Sequence, residues 1–325
     1  MTTALGRGQC GGHITLIFTI EDQFEDPVSQ GSRGVGLCLE DGVEVIAKGE
    51  VGSGILQVIF QNGGYDTSMY DEVLDELVKV IPEIRGFDWE LNIRMSLPAS
   101  QGFGMSASGA IASAISIQRA IGIPHEECLR RSFFIAHIVE RNRSSGLGDT
   151  TGLASGGVER RLVAGSPFSE GFLVRGPGVS EGWDCSTNVL LTWSESSGKH
   201  TSKYIDDSAW KLKISEAGET AMRGIGIGNW DSRRWSEIIE KSVVFASESG
   251  LEDDSSRSDT VRRVERAIVE SGYYGKVAAL LCMLGESVVI VPKDLSDVGD
   301  WIDPVANSLR ESGLCTFSSR IGSLR

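Results

Sequence analysis

Residues 89–95 (Trp-Glu-Leu-Asn-Ile-Arg-Met) alternate apolar and polar positions, which predicts a strand with one buried face. From Met105 onward the period changes: Ile111 and Ile115 stand four apart among Gly109, Ala110, Ala112, Ser113 and Ala114, the pattern of a helix pressed closely on a sheet. Gly122 and Pro124 end it. Earlier in the chain, residues 13–20 predict a first strand after a flexible Gly11-Gly12 pair, 31–39 and 42–46 the two strands of a hairpin, and 55–60 a further strand. Helical spacing covers 71–78, stopping before Pro82, and then 124–141. Residues 158–163 alternate again, so Arg160 and Arg161 face opposite sides of a strand. The Gly-, Pro- and Ser-rich stretch 165–183 predicts a crossing between lobes, followed by a strand at 188–193 and helices at 206–224, 232–248 and 257–271. The expected class is α+β, divided into lobes at 1–170 and 171–325.

The loop at 98–108 joins the strand to the small-residue helix. Gly102 and Gly104 lack Cβ atoms, so their amides can turn into one concavity, and the helix start adds its unpaired N–H groups and positive dipole end. Ser106 and Ser108 supply hydroxyls. Read alone, this is either an anion-binding loop or a capped turn beneath a packed helix. A Walker A loop is excluded, since the Gly-Lys pairs occur as Gly198-Lys199-His200 and Gly275-Lys276-Val277. The fit of Gly102-x-Gly104-x-x-Ala107 to a dinucleotide fingerprint fails on context, because residues 98–101 intervene after the strand and Glu126 and Glu127 open a helix. Glu140 near the end of its helix is either a solvated side chain or one that answers a nearby cation. Asp149 in the Gly-rich loop 144–152 is either an Asx-turn residue or a functional acid, placed before an expected strand that ends at Gly156-Gly157.

The pattern Pro98-x-x-x-Gly102-Phe103-Gly104-x-Ser106-Ala107-Ser108 resembles the central ATP-binding motif of the GHMP small-molecule kinases, Pro-x-x-x-Gly-Leu-Gly-Ser-Ser-Ala-Ala. The resemblance runs through roughly residues 13–165. It implies the GHMP kinase fold, an N-terminal lobe like ribosomal protein S5 domain 2 with a C-terminal ferredoxin-like α/β lobe. It also implies ATP and Mg²⁺ as cofactors, with Pro98, Gly102, Phe103, Gly104, Met105, Ser106, Ala107 and Ser108 around the nucleotide, Ser106 and Glu140 on the metal, and Asp149 as base or orienter of the attacking hydroxyl. His137 is read as packing. Where the family often has an Ala-Pro-Gly-Lys-like run, this chain has Cys10-Gly11-Gly12-His13. The phrase Gly31-Ser32-Arg33-Gly34-x-Gly36, with His13-Ile14-Thr15, is similar to the archaeal branch that phosphorylates the hydroxy acid pantoate on the route to coenzyme A. For that branch the implied substrate contacts are His13, Arg33 and Arg161, a one-residue slip selecting Arg160 instead. Residues 278–289 resemble its Met-Leu-Gly segment. Mevalonate, homoserine or shikimate as acceptor, and a non-catalytic nucleotide-binding regulator, stay open as alternatives.

Composition narrows the partners. Thirty-one Lys plus Arg against 45 Asp plus Glu leave a net charge of −14, a surface that repels nucleic acid. The six cysteines form no Cys-x-x-Cys pair, so buried thiols are expected rather than a zinc or redox site. The amino-terminal residues have no signal-peptide core and no apolar run approaches a membrane span, so a cytoplasmic protein is expected. A homodimer is what the resemblance implies.

Overall fold

In a computed structural model of the chain, residues 3–63, 65–171, 174–195 and 207–322 are described; Gly198-Lys199-His200 and the first residue of the helix expected at 206–224 lie outside them. The first sheet is built on a long antiparallel hairpin of β1 (Ala4–Phe18) and β2 (Gly34–Val51). On its other edge β2 carries β4 (Phe87–Met95) along Val43–Val51 and β5 (Val158–Val163) along Gly34–Leu37. Strand β3 (Leu56–Phe60) lies parallel to β4, and β6 (Val179–Trp183) antiparallel to β5.

Two expectations change here. The segments 31–39 and 42–46 do not form a hairpin: β2 runs straight through, and Gly42 serves close approach instead of a turn, since a Cβ there would stand 2.2 Å from the Cys10 carbonyl oxygen. Nor are Gly11 and Gly12 a flexible lead-in. They lie within β1, whose glycines admit the helix packed on it: a Cβ on Gly6 or Gly8 would meet the carbonyl oxygens of Ser116 and Ala112 at 2.1 and 1.9 Å. That helix, α2 (Met105–Ala120), is buried almost all round between β1 and α3 (His125–Asn142), and α1 (Ser68–Val80) packs beside both. Burial of Ile111, Ile115 and Ile117 contributes about 2 kcal/mol each.

A short helix, α4 (Asp149–Ser155), replaces the strand expected before Gly156. The stretch 165–183 does not simply cross over, because its end forms β6 on the first sheet. The second sheet follows in the antiparallel order β10-β7-β9-β8, formed by Cys315–Arg320, Asn188–Trp193, Ser287–Pro292 and Val277–Leu281. Its helices are α5 (Ser208–Ile225), α6 (Trp235–Glu248), α7 (Ser255–Glu270) and α8 (Ile302–Glu311). With β7, the helices, β8, β9, α8 and β10 in chain order, this is the ferredoxin-like arrangement.

The two sheets share one hydrophobic core. Helix α5 presses on the end of β1, where a Cβ on Gly218 would lie 2.3 Å from the Phe18 carbonyl oxygen, and Phe245 of α6 stands edge-on to Phe18 at 5.5 Å. No helix among the described residues is long and apolar enough to cross a membrane. All six cysteines are free thiols and five are buried.

Candidate active site at the glycine loop

Strand β1 delivers the first part of the site. Register breaks fall between Gly11 and His13 and between Thr15 and Ile17, and such bulges turn side chains out of the regular alternation. Within the bulged stretch β1 bonds elsewhere as well: the His13 amide donates to the Phe103 carbonyl at 3.0 Å, and the Met283 amide to the Thr15 carbonyl at 3.0 Å. His13 therefore lies under the glycine loop, and Thr15 at the edge of a cleft of about 630 Å³.

Gly102 and Gly104 have φ of 79° and 67°, the left-handed region, and Gly104 caps α2. The N–H groups of residues 102–107 donate to no acceptor among the described residues, and Gly102 to Ser106 line the cleft. A run of unpaired amides at a helix start fits the phosphate oxygens of a nucleotide. The loop is held from behind. Phe103 is buried with its ring 5.7 Å from that of Trp193, Ser108 donates its hydroxyl to the Gly11 and Gly104 carbonyls at 2.6 and 2.9 Å, and Ala107 is buried. The Ser108 hydroxyl is thus committed to main chain, whereas that of exposed Ser106 donates to Glu140 Oε1. Pro98 is half-buried just before the loop.

Glu140, in the last turn of α3, also accepts from Ser145 Oγ at 3.0 Å and from the Gly146 amide at 2.8 Å. It has no ion-pair partner among the described residues. Burial pushes its carboxyl above the usual carboxylate range; the Ser106 hydroxyl opposes this and the charge of Asp149 adds to it. A buried acid without a cation, one hydroxyl and a phosphate cradle beside it suit Mg²⁺, which keeps few protein ligands and takes the rest from phosphate and water.

Asp149 opens α4 with its side chain 21% exposed on the cleft. Its Oδ1 meets His13 Nδ1 at 2.6 Å, and His13 Nε2 meets Glu159 Oε1 at 3.0 Å. Arg161, which shares a face of β5 with Glu159, reaches Glu159 Oε1 at 2.9 Å; His13, Glu159 and Arg161 are each fully buried. Burial acts to raise the pKa of Asp149, but the His13 hydrogen bond and the charges of His13 and Arg161 outweigh it and hold the carboxyl low. For His13, burial favours the neutral ring and the two carboxylates overcome it, raising the pKa. His13 thus stands behind Asp149, without exposed surface of its own.

The arginines separate as β5 alternation requires. Arg161 lies beneath Gly148, where a Cβ would stand 2.8 Å from its Nε and 2.3 Å from Ser32 Oγ, and its Nε–H is buried without a partner among the described residues. Arg160 faces away, pairing with Glu181 and lying over Trp230 at 4.9 Å. Arg33 is turned to Glu21 at 3.1 Å and to Glu219 of α5, so two carboxylates hold the guanidinium that the sequence offers to a substrate. His137 packs, with Nδ1 3.2 Å from Thr150 Oγ1 and Nε2 3.0 Å from the Pro27 carbonyl; burial pushes it down to about 4.

The cleft has further lining residues from outside the glycine loop. Ser32 lines it, as do Met283 and Leu284 of the β8–β9 turn, and Gly102 packs against that turn, a Cβ there lying 3.1 Å from the Gly285 nitrogen. Phe60, Tyr65 and Tyr70 form an edge-on cluster at one end, with centroids 5.0 and 5.8 Å apart. Glu159 had one available signal, its place two residues before Arg161 on the same strand face.

Residues 68–157 match the family model described as GHMP kinases N terminal domain. The chain is 30% identical over 157 residues to the pantoate kinase of Thermococcus kodakarensis, covering 48% of this chain and 51% of that protein. It is 29% identical over 172 residues to the pantoate kinase of Methanospirillum hungatei, covering 51% and 55%. The matches thus span about half the length of these curated relatives. A solved phosphotransferase related to the CoA biosynthesis pathway superposes with a TM-score of 0.77 over 99% of this chain and 97% of its own, at 22% identity. The chain has the GHMP kinase fold, and its residues 68–157 match the GHMP kinase N-terminal domain.

Proposed function

We propose that this protein is a small-molecule kinase that transfers the γ-phosphoryl group of ATP to a hydroxyl of a small hydroxy acid, and that the acid is pantoate. One observation carries the reading: the loop residues 102–106, whose amides have no acceptor among the described residues, the Ser106–Glu140 pair and the Asp149 carboxylate line a single cleft. Phosphoryl transfer depends on positioning and charge neutralisation, which this set supplies. The amides of residues 102–107 receive phosphate oxygens, and the Phe60–Tyr65–Tyr70 cluster receives the base. Ser106 and Glu140 would hold Mg²⁺, which when bound neutralises charge on the phosphates.

At the other end Asp149 accepts a hydrogen bond from the acceptor hydroxyl and aims its oxygen at phosphorus. Its carboxyl is held low, so orientation dominates over proton removal. Ser32 and the free Nε–H beneath Gly148 offer donors for the acid's own carboxylate. Two relatives named pantoate kinase support the choice of acceptor.

The test is ADP release with ATP, Mg²⁺ and a panel of pantoate, mevalonate, homoserine and shikimate. Pantoate is expected to give the highest kcat/KM. Turnover of another member alone reassigns the acceptor, and ATP binding without turnover on any member removes the kinase reading. Asp149→Asn should lower kcat by about 10²–10⁴-fold with ATP binding retained.

A further inference from the structure

We propose that Glu159 is a positioning residue for the transfer: by accepting from one ring nitrogen of His13 it keeps both ring nitrogens as donors, so that the other grips Asp149 while the bridge carries a fixed positive charge. The inference rests on the kinase reading, since Asp149 must meet the acceptor for the bridge to matter.

Geometry carries it. His13 Nδ1 lies 2.6 Å from Asp149 Oδ1 and Nε2 3.0 Å from Glu159 Oε1. An ionised carboxylate only accepts, so both nitrogens donate and the ring is an imidazolium. Glu159 pairs with Arg161 at 2.9 Å, and Arg161 in turn stands 3.4 Å from the ring. The chain Asp149, His13, Glu159, Arg161 alternates in sign and sums to zero, which lets it be buried. Removal of the charge at Glu159 would leave two cations adjacent, and the ring would release a proton.

The backbone is shaped around this ring from three sides. A Cβ on Gly36 of β2 would stand 2.5 Å from both His13 Nε2 and Glu159 Oε1; one on Gly152 of α4, 2.5 Å from Nε2; one on Gly104, 2.9 Å from His13 Cβ. Glu159 Oε2, buried without a hydrogen-bond partner among the described residues, is a cost borne beside the first sheet, and such costs persist where a group does something besides packing. The titratable neighbours are Asp149 from α4, with Glu140 of α3 beyond it, Glu159 and Arg161 from β5, Cys38 from β2 and Cys10 on β1 itself.

The test compares wild type with Glu159→Gln, which keeps the shape and removes the charge. NMR of the His13 ring in the protein without substrate reads its protonation, and steady-state kinetics with ATP and pantoate read its effect. Wild type is expected to carry both ring protons at neutral pH. The variant should carry one, its kcat at neutral pH should fall by roughly 10–100-fold at unchanged KM for ATP, and the acid limb of its kcat profile should move to higher pH as Asp149 loses the facing charge. Glu159→Asp, charged but shorter, should restore the second ring proton. A singly protonated ring in wild type overturns the proposal whether or not the variants fold, and so does a Glu159→Gln enzyme with ring and acid limb unchanged. Loss of the second ring proton in a protein that phosphorylates no acceptor leaves the bridge in place and removes the kinase reading instead.

Discussion

The Ser106 hydroxyl at the start of α2 donates to the same Glu140 carboxylate that takes the Gly146 amide at 2.8 Å, so two helices and a loop converge on one acid. The acid is buried, lacks a cation among the described residues and has its pKa raised, first of all by burial. Glu140→Gln should therefore leave the nucleotide-free protein as stable as wild type or about 1 kcal/mol more so. The same change should remove several kcal/mol of transition-state stabilisation, more than about 100-fold in kcat. Thermal unfolding and turnover on one preparation check both halves.

Ser106 and Ser108 stand two residues apart in the motif and have different roles. Ser108→Ala strips the hydroxyl from the Gly11 and Gly104 carbonyls and should cost about 1 kcal/mol of stability with little change in Mg²⁺ dependence. Ser106→Ala should leave stability nearly unchanged and raise the Mg²⁺ concentration needed for half-maximal rate. A Mg²⁺ titration of the two variants, with urea unfolding alongside, separates them.

Gly104→Ala places a Cβ 2.9 Å from that of His13 on a residue with φ of 67°. The expected loss is about 1–3 kcal/mol, together with weaker ATP binding as the amides of the first turn tilt away. Denaturant unfolding and calorimetric titration with ATP measure the two effects.

The pH dependence of stability follows from signs. His13 has a raised pKa, so its contribution is fully present below its ordinary 6.5 and is lost as pH rises through the folded value. Asp149 has a lowered one, so its contribution is present above 3.8 and is lost as pH falls through its folded value. The pair stabilises most between 3.8 and 6.5. In urea unfolding, the deficit of His13→Asn relative to wild type should be largest below 6.5 and shrink above it; a deficit that grows with pH contradicts the charged ring.

Elements with a clean period were legible in the chain: β4 from its alternation, α2 from its small residues, β5 with its two arginines on opposite faces. Glycine misled where it serves contact instead of turning. Gly6, Gly8, Gly11, Gly12 and Gly42 hid the start of β1 and split β2, because glycine is depleted in strands unless another backbone approaches closely. At the site, the loop glycines, Ser106, Glu140 and Asp149 were readable and do share a cleft. Ser32 and the β8–β9 turn lay within family-like phrases but without an assigned role, and the role of Glu159 comes from its pairing with His13 across more than a hundred residues, which no local pattern encodes. Arg33 carries the right chemistry, yet Glu219, distant in sequence, faces it.

The glycine loop leans on the second sheet as much as on the first. Phe103 rests on Trp193, Gly102 on the turn after β8, and the Gln101 carbonyl takes the Ser287 hydroxyl. A half-molecule ending after β6 would own every strand of the first sheet and every acid of the cleft, yet its nucleotide grip would be built on one wall. Severing the chain between the sheets would open the core they share and take away one wall of the site.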